Sequence, residues 1–404
     1  MAALGGTVAG MLIVLPRMRR IPRLKPMHVP VGGPSEGASL PPALDHHGPR
    51  ATIIVAAKDE ESTIEPALRA LLGQLDSGLQ IIAVNDRSED CTGAILERLS
   101  AEDPRLLTRH IQELPSGWLG KNHALATGVA AARSGPTLPE FLLFTDADVV
   151  FEPGGLRAAV AHAAEHGLDH LAGAPRVHTA SWLLAGQIAA FGVLFGLFTR
   201  PWSVPNPRSS AHVGIGALNL VRLSAYERAG GHAAIAMRID DDLRLGKAVK
   251  AAGGRSAFAF AGEIASLTWY PSLRSMLRGL HKNAFAGIDF RLSFAVAATA
   301  FLALAFVAPF VLAALPESWS GASPLTRSLA LATAMLHLVG AHESARSAGL
   351  PGSSALFFPV GVVLFLGVLW RSAIGALWTG QIVWRGTSYE LDELKRARKA
   401  SSPY

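Results

Sequence analysis

Acidic side chains are concentrated at two places in this chain. Asp146 and Asp148 flank one alanine directly after an apolar run, and Asp240, Asp241 and Asp242 follow one another about ninety residues later. Carboxylate oxygens suit a hard divalent cation, and Mg²⁺ is usually held by one or two carboxylates together with substrate phosphates. The first pair therefore indicates a metal-bridged diphosphate. The alternative explanation of so short a motif is a solvated turn at the end of a strand.

Short apolar runs that alternate with helical stretches would position these acids. We expect strands at 52–57, 79–84 and 141–144, and helices at 64–74 and 91–100. This alternation predicts an α/β fold with a mostly parallel sheet covered on both faces. Ligands of such sheets bind at the carboxyl ends of the strands. The polar groups that follow the three strands, Lys58-Asp59-Glu60, Asn85-Asp86-Arg87-Ser88 and Asp146-Ala147-Asp148, are therefore expected to converge on one crevice.

The composition is that of a membrane protein. Half of the 404 residues are hydrophobic, only 17% are charged, and the mean hydropathy is +0.30. The net charge of +6 lies beside apolar runs and is not interleaved with exposed aromatic residues, which favours anionic lipid over nucleic acid as a partner. Cys91 is the single cysteine, so an intramolecular disulfide and a cysteine zinc site are both excluded.

The apolar segments predict how the chain meets a bilayer. Residues 1–16 are expected to form a membrane anchor, followed by a basic linker rich in Pro and Gly at 17–50 that includes His46-His47. The region 286–384 holds two expected spans, 292–315 and 355–378, each long enough to cross. The shorter segment 328–341 is expected to be interfacial or re-entrant. The basic tail, 385–404, then returns to the cytoplasm.

One further apolar segment, Trp182–Phe198, lies between the two acidic motifs. If it crossed the bilayer, the motifs would lie on opposite sides and could not share a substrate. We therefore expect an interfacial helix or groove wall here, and a buried core helix is the alternative that its length equally allows.

Two strand-end motifs resemble those of glycosyltransferase family 2. Val55 to Glu61, VAAKDEE, is similar to the family's "ARNEE" segment, and Val84 to Ser88, VNDRS, is similar to its "VDDxS". The resemblance extends to about residue 285 and implies a GT-A catalytic domain over 51–285. In the family, the position of Asp86 binds the nucleotide base. Glu60 resembles the residue that contacts the nucleoside, with capping of the next helix as the alternative.

A third motif points to a subgroup of that family. The "GWxGK" sequence ending at Lys121 looks like that of members that glycosylate lipids such as carotenoids, hopanoids and sphingolipids. Lys121 falls near a helix start, where it would be a diphosphate ligand; a solvated loop lysine is the alternative. Arg278 and Lys282 are expected to serve the leaving diphosphate or to bind lipid headgroups. The "QxxRW" motif of processive members is missing.

The acid triplet matches the family's "ED" pair, whose aspartate is the general base. The resemblance implies that Asp242 is the base and that Asp241 supports it. Asp240 is expected either to cap the helix or, if the alignment is shifted by one residue, to belong to the pair. Asp148, with Asp146, would hold Mg²⁺ or Mn²⁺, and Asp146 also serves the donor.

Three residues are expected to contact the acceptor. Gly214 and Gly216 lie in a segment similar to the family's acceptor side, where glycines allow close approach to the backbone. Trp182 begins the apolar segment between the acidic motifs.

These expectations combine into one function. We predict an inverting glycosyltransferase that moves a sugar from a nucleotide sugar, expected to be a UDP-sugar, to a hydroxyl of a membrane lipid. The enzyme would be multi-pass in the inner membrane, with its catalytic domain facing the cytoplasm and no nucleic-acid partner. A polysaccharide synthase and a non-catalytic nucleotide-sugar-binding membrane protein are the alternatives. A nucleotidyltransferase is disfavoured because an acidic segment follows the first strand.

Overall fold

The computed structural model describes residues 2–27, 50–74, 79–384 and 387–400. Most of the predicted linker, including His46-His47, lies outside these residues. The chain divides into two compact units. The sheet unit contains Pro22–Arg176 and Ser203–Leu267, and the helical unit contains Met1–Ile21, Val177–Trp202 and Thr268–Lys399.

The sheet confirms the predicted α/β class. The strands are β1 Ala51–Ala57, β2 Gln80–Asp86, β3 Leu106–Ile111, β4 Phe141–Asp146, β5 Val150–Phe151, β6 His170–Ala174, β7 Arg176–Val177, β8 Asn219–Arg222, β9 Ser256–Phe260, β10 Ala265–Leu267, β11 Gln381–Trp384 and β12 Thr387–Glu390. Seven of them form one sheet in the order β3-β2-β1-β4-β8-β6-β9. β8 is antiparallel to both neighbours, and the other pairs are parallel.

The helices follow the predicted pattern in the first half of the chain. They are α1 Ala2–Arg19, α2 Ile64–Leu72, α3 Thr92–Glu102, α4 Gly120–Arg133, α5 Gly155–Glu165, α6 Trp182–Thr199, α7 Leu223–Arg228, α8 Asp241–Ala251, α9 Leu273–Gly287, α10 Leu292–Leu302, α11 Ala308–Ala314, α12 Glu317–Ser320, α13 Pro324–Ser347, α14 Phe358–Thr379 and α15 Leu391–Ala400. A π-helical turn, Ala303–Val307, joins α10 to α11, and 3₁₀ turns cover Pro201–Ser203, Gly231–Ile235 and Gly352–Phe357.

Burial of β-branched and leucine side chains holds α4 against the sheet. Every residue of β1 is buried, and Ile54 packs in one core cluster with Leu125 and Val129 of α4. A Cβ at Gly128 would overlap Ile54, so the glycine lets the helix lie close to the strand. This packing fixes the first turn of α4 near the carboxyl edge of the sheet.

The strand order brings the predicted polar loops to one edge. β1 lies between β2 and β4, and Ala56 pairs with both Val84 and Asp146. Because the three strands are parallel, their carboxyl ends lie side by side. The crevice predicted from the sequence is therefore present in the sheet unit.

Residues 22–24 of the predicted linker lie along the edge of the sheet. Within 17–50, Pro22 accepts a hydrogen bond from the N–H of Phe260, and Leu24 donates its N–H to the carbonyl of Phe260. β9 is an edge strand whose backbone groups are otherwise unpaired on that side, so an extended segment satisfies them.

Small residues bring the helices of the helical unit together. Gln187 in α6 donates to the carbonyl of Gly361 in α14 at 3.3 Å, and Ser344 in α13 donates to the carbonyl of Ala189 at 3.0 Å. A Cβ at Gly361 would overlap the Cβ of Ala190. Such close contacts between small residues, joined by side-chain hydrogen bonds, are typical of helices that pack in lipid.

Three helical segments among the described residues are long and apolar enough to cross a membrane: Trp182–Ser203, Leu292–Ala314 and Gly352–Thr379. The last two match the predicted spans. The segment 328–341 lies instead within α13, which begins at Pro324 behind the capping residue Ser323 and carries charged residues toward its end.

Helices α6 and α9 group with the helical unit, and the domain expected over 51–285 remains a prediction. The segment 182–198, expected to be an interfacial part of a domain spanning 51–285, forms α6 of the helical unit. The sheet unit also ends at Leu267, before α9. A helix that is apolar on every side is stabilised among other helices, and α6 has this composition.

The buried His170 should make the sheet unit sensitive to acid. Its Nε2 lies 2.7 Å from Oδ1 of Asn219, and burial lowers its pKa to about 4. The unfolded chain binds the proton more readily, so the stabilisation is complete above about pH 6.5 and is lost as the pH falls toward 4. The full effect is about 3 kcal/mol, at about 1.4 kcal/mol for each pKa unit.

The measurement is the thermal unfolding midpoint of the purified protein between pH 7 and pH 4. The midpoint of the His170→Gln variant should fall less steeply with pH than that of the wild type, because glutamine keeps a donor for Asn219 and does not titrate. His166→Gln, at an exposed position, is the control. Parallel curves for wild type and His170→Gln would contradict the prediction.

Candidate active site

The loops after β1 and β2 are joined by hydrogen bonds. The N–H of Asp59 donates to Oγ of Ser88 at 3.1 Å, and Oδ1 of Asp59 accepts from the N–H of Glu89 at 2.8 Å. Asp59 and Arg87 both have a φ of 54°, a left-handed conformation that persists only where the surroundings fix it. The joined loops therefore hold Asp86 in one position.

Asp86 keeps one carboxylate oxygen without a partner. The residue is only 1% exposed, and its Oδ1 accepts from Nε of Arg87 at 2.8 Å. Its Oδ2 has no hydrogen-bond partner among the described residues. A Cβ at Gly120 would overlap this oxygen, so only glycine fits at the start of α4. A buried carboxylate oxygen without a partner is a ready acceptor for an N–H or hydroxyl of a ligand.

Glu60 lies at the N-terminus of α2. Its Oε2 accepts from the hydroxyl of Thr63 at 2.8 Å, and its carbonyl accepts from the N–H of Ile64 at 2.9 Å. These contacts are those of a residue that orders the first turn of a helix. The predicted contact with the nucleoside remains a prediction.

Lys121 connects the two acidic motifs. Its Nζ lies 2.8 Å from Oδ1 of Asp146 at the end of β4 and 3.3 Å from Oδ2 of Asp241 at the start of α8. Lys121 is in the first turn of α4, as predicted. One cation thus brings together carboxylates that are 95 positions apart in the sequence.

Gly216 lies between the same two motifs. Its N–H donates to Oδ2 of Asp242 at 2.9 Å, and its carbonyl accepts from the N–H of Asp146 at 2.9 Å. A Cβ here would overlap the carboxylate of Asp146, and a Cβ at Gly214 would overlap the carbonyl of Asp242. Both glycines are therefore required by the approach of backbone to the acids. Their predicted role toward the acceptor remains a prediction.

The first acid of the triplet is used in ion pairs. Asp240 lies 3.1 Å from Nε of Arg238 and 2.7 Å from Nε of Arg244. The carbonyl of Asp240 accepts from the N–H of Arg244 in the first turn of α8, whereas its side chain makes no capping hydrogen bond. The alternative register for the base is thereby disfavoured, because Asp241 and Asp242 contact Lys121 and Gly216 instead.

Two acids of the site are held in environments that disfavour their charge. Burial, with the nearby charges of Asp241 and Asp146, raises the pKa of Asp242 well above its usual range. Burial, followed by the charges of Asp146 and Glu60, raises the pKa of Asp148 to about 7. The site therefore carries more negative charge than Lys121 neutralises, and a bound cation would stabilise it.

The donor set at the end of β4 fits a metal that shares its ligands with a substrate. Asp146 and Asp148 supply two carboxylates, and no group of three potential ligand side chains occurs among the described residues. Mg²⁺ and Mn²⁺ accept one or two carboxylates and complete their coordination with phosphate and water.

These elements enclose a small recess in the sheet unit, which we call the polar recess. It is lined by Lys121, Asp146, Gly216, His232, Asp241 and Asp242, with Leu125 and Phe144 among its apolar residues. Acids, a lysine and a backbone N–H thus face one small volume.

Comparison with known proteins identifies the sheet unit. Residues 52–228 match the family model "Glycosyl transferase family 2". This part of the chain is a family 2 glycosyltransferase domain. It begins at the first strand and includes Asp86, Lys121, Asp146 and Gly216, whereas the acid triplet follows it. No curated protein sequence matches the chain.

Solved structures show the fold of the glycosyltransferase. A mannosyltransferase from Pyrobaculum calidifontis, PcManGT, in complex with GDP-mannose and Mn²⁺, is 18% identical over 94% of this chain and 96% of its own, with a TM-score of 0.52. Residues 1–349 of S. aureus TarS, in complex with UDP-GlcNAc, are 13% identical over 84% of this chain and 96% of that chain, with a TM-score of 0.39. The family match and the PcManGT structure confirm the predicted GT-A fold.

Three of the predicted site residues belong to the helical unit. Trp182 begins α6 and donates from Nε1 to Oγ of Ser353 at 3.4 Å. Arg278 is exposed on α9, and the side chain of Lys282 lies outside the description. Their roles toward acceptor and diphosphate remain predictions.

Sequence reasoning missed two side chains of the glycosyltransferase that hold the acidic motif. Asn219 donates from Nδ2 to the carbonyl of Asp242 at 3.3 Å. The buried Asn122 donates from Nδ2 to the carbonyls of Ile235, Ala236 and Arg238 at 2.9 to 3.0 Å. Asn122 follows Lys121 directly, so its position beside the motif is the only signal that could have found it.

Removing the amide of Asn122 should destabilise the glycosyltransferase. In Asn122→Ala the carbonyls that precede the acid triplet lose their shared donor, and the expected loss of unfolding free energy is about 1–3 kcal/mol. The thermal unfolding midpoint measures it, and Asn206→Ala in an exposed turn serves as the control. Equal midpoints for the two variants would contradict the role given to Asn122.

Proposed function

We propose that this glycosyltransferase transfers a sugar from a nucleotide sugar to a hydroxyl group of a membrane lipid, with inversion at the anomeric carbon. The observation that supports it best is the contact of Lys121 with acids of both motifs, since sugar transfer needs a diphosphate site beside a base. The mannosyltransferase of the same fold is bound to a nucleotide sugar and Mn²⁺, which agrees with such a donor.

The residues of the donor site have distinct roles in this proposal. Asp86 accepts from the base or the ribose of the nucleotide, expected to be uridine, through its unpartnered oxygen. Asp148, supported by Asp146, would hold Mg²⁺ or Mn²⁺, which when bound neutralises the charge that develops on the leaving diphosphate. Lys121 would exchange one of its two carboxylate contacts for a phosphate oxygen.

Asp242 acts as the general base. A carboxylate whose pKa is raised can take a proton from a hydroxyl near neutral pH, and Gly216 fixes its orientation. Attack by the acceptor on the face opposite the diphosphate gives inversion. Asp241 is held by Lys121, and its negative charge helps to raise the pKa of the base.

A lipid acceptor would explain why the chain carries long apolar helices. Two segments that follow the acidic motifs, Leu292–Ala314 and Gly352–Thr379, are long and apolar enough to cross a bilayer, which would place the hydroxyl of a lipid and the enzyme in the same membrane. The basic residues 17–25 and the basic tail favour a cytoplasmic catalytic domain. Arg278 and Lys282 then serve the leaving diphosphate or lipid headgroups.

The test uses the full-length protein in detergent with lipid extract, Mn²⁺ and either UDP- or GDP-sugars. Mass spectrometry should detect a glycolipid that forms only with the metal and a matching donor, and EDTA should prevent its formation. Release of free sugar without any glycolipid, across all donors and extracts, would contradict the lipid acceptor.

A further inference from the structure

His232 has one defined tautomer because of Tyr226. The hydroxyl of Tyr226 accepts from the backbone N–H of His232 at 3.0 Å and lies 2.9 Å from Nδ1 of the same residue. The tyrosine is buried, and both hydrogen bonds that the described residues make with its hydroxyl come from His232. The hydroxyl proton therefore goes to Nδ1, which accepts it, and the ring proton of the neutral imidazole is on Nε2.

The Nε2–H of His232 is a donor with no partner among the described residues, although the residue is only 1% exposed. Its ring lies edge-on to Phe144, with centroids 4.8 Å apart, and lines the polar recess. Burial lowers the pKa of His232 to about 3, so the ring stays neutral near pH 7. An imidazole N–H at the wall of a recess can donate to a ligand group that enters it.

The polar recess has room for about one water-sized group. Such a group would meet donors from His232 and Lys121 and acceptors from Asp241 and Asp242. A hydroxyl both donates and accepts, so it satisfies this mixture, whereas an acetamido group is too large.

We propose that the Nε2–H of His232 binds a single hydroxyl group of the transferred sugar in the polar recess. The inference rests on the proposed function, because Lys121 and Asp146, which would hold the diphosphate, border the same recess, and the sugar is bonded to that diphosphate. His232 is thus a specificity residue that selects donors with an unsubstituted hydroxyl at one ring position.

Calorimetric titration of the detergent-solubilised protein in Mn²⁺ tests the proposal. UDP-glucose, UDP-galactose, UDP-GlcNAc and GDP-mannose are compared with UDP and GDP. In His232→Leu, the tightest of the sugars should bind about 10- to 100-fold more weakly, whereas its nucleoside diphosphate should change less than about twofold. His232→Gln, which keeps a donor near the position of Nε2, should recover most of the affinity. His166→Leu, at an exposed position, is the matched control.

Monodeoxy analogues of the tightest sugar give the second readout. Loss of one hydroxyl should weaken binding to the wild type strongly, and the same analogue should show no such penalty with His232→Leu. A structural role for His232 would weaken nucleoside diphosphate and sugar alike, and that result would overturn the inference. Unchanged sugar affinity in His232→Leu would also overturn it. Failure of every nucleotide and nucleotide sugar to bind the wild type would instead refute the proposed function, and the inference with it.

Discussion

Replacing Asp242 by asparagine should reduce sugar transfer by about 10²- to 10⁴-fold, the usual contribution of a general base. The amide keeps the volume of the side chain, and its oxygen can still accept from the N–H of Gly216, while the N–H of Leu243 loses its acceptor at Oδ1; the donor site should therefore remain, with a small loss of stability. What is lost is the ability to take a proton from the acceptor. Initial rates of glycolipid formation at saturating donor measure the change.

The matched control is Asp240→Asn at the neighbouring position. Asp240 is paired with Arg238 and Arg244, so its change should lower stability with a smaller effect on rate. Donor affinity should stay near the wild-type value in Asp242→Asn. If Asp241→Asn loses more activity than Asp242→Asn, the register of the motif is one residue off and Asp241 is the base.

An alanine at Gly216 should disrupt both acidic motifs at once. Its Cβ would overlap the carboxylate of Asp146, while the N–H of the same residue holds Asp242. Relief of the overlap requires a shift of either acid, and a misplacement of about 1 Å can cost about 10²-fold in rate. We expect weaker Mn²⁺-dependent donor binding and a rate at least that much lower.

Gly135→Ala is the control for Gly216→Ala. Gly135 has no positive φ, and a Cβ there would make ordinary contacts with the carbonyl of Ala132, at 3.4 Å, and with Oε1 of Gln80, at 4.0 Å. The two variants should unfold at temperatures that differ by a few degrees, since overpacking costs about 1–3 kcal/mol. Wild-type turnover in Gly216→Ala would show that the spacing of Asp146 and Asp242 is not needed for catalysis.

Local patterns predicted most of the sheet. The β-branched run at 52–57 and the apolar run at 141–144 became β1 and β4, because strands buried on both faces need continuous apolar residues. The convergence of Asp86 and Asp146 followed from parallel strand order alone. Lys121 at the start of α4 was also predicted, since the helix begins at a glycine.

Contacts between distant positions were beyond such patterns. Gly216 is needed because it approaches Asp146 and Asp242, which lie 70 and 26 positions away. The role proposed for His232 depends on a tyrosine hydroxyl that only the folded chain brings to Nδ1. The length and composition of α6 are compatible with an interfacial, a buried or a membrane-spanning helix. Only the structure could show that it groups with the helical unit.

The order of elements along the chain constrains how the protein is made. The ribosome delivers β1 to β4 and β6 first, then α6, and only afterwards β8, which fills the position between β4 and β6. The apolar α6 thus emerges while the sheet still lacks an inner strand. A fragment that stops at residue 176 lacks β8 and β9, so it cannot complete the sheet.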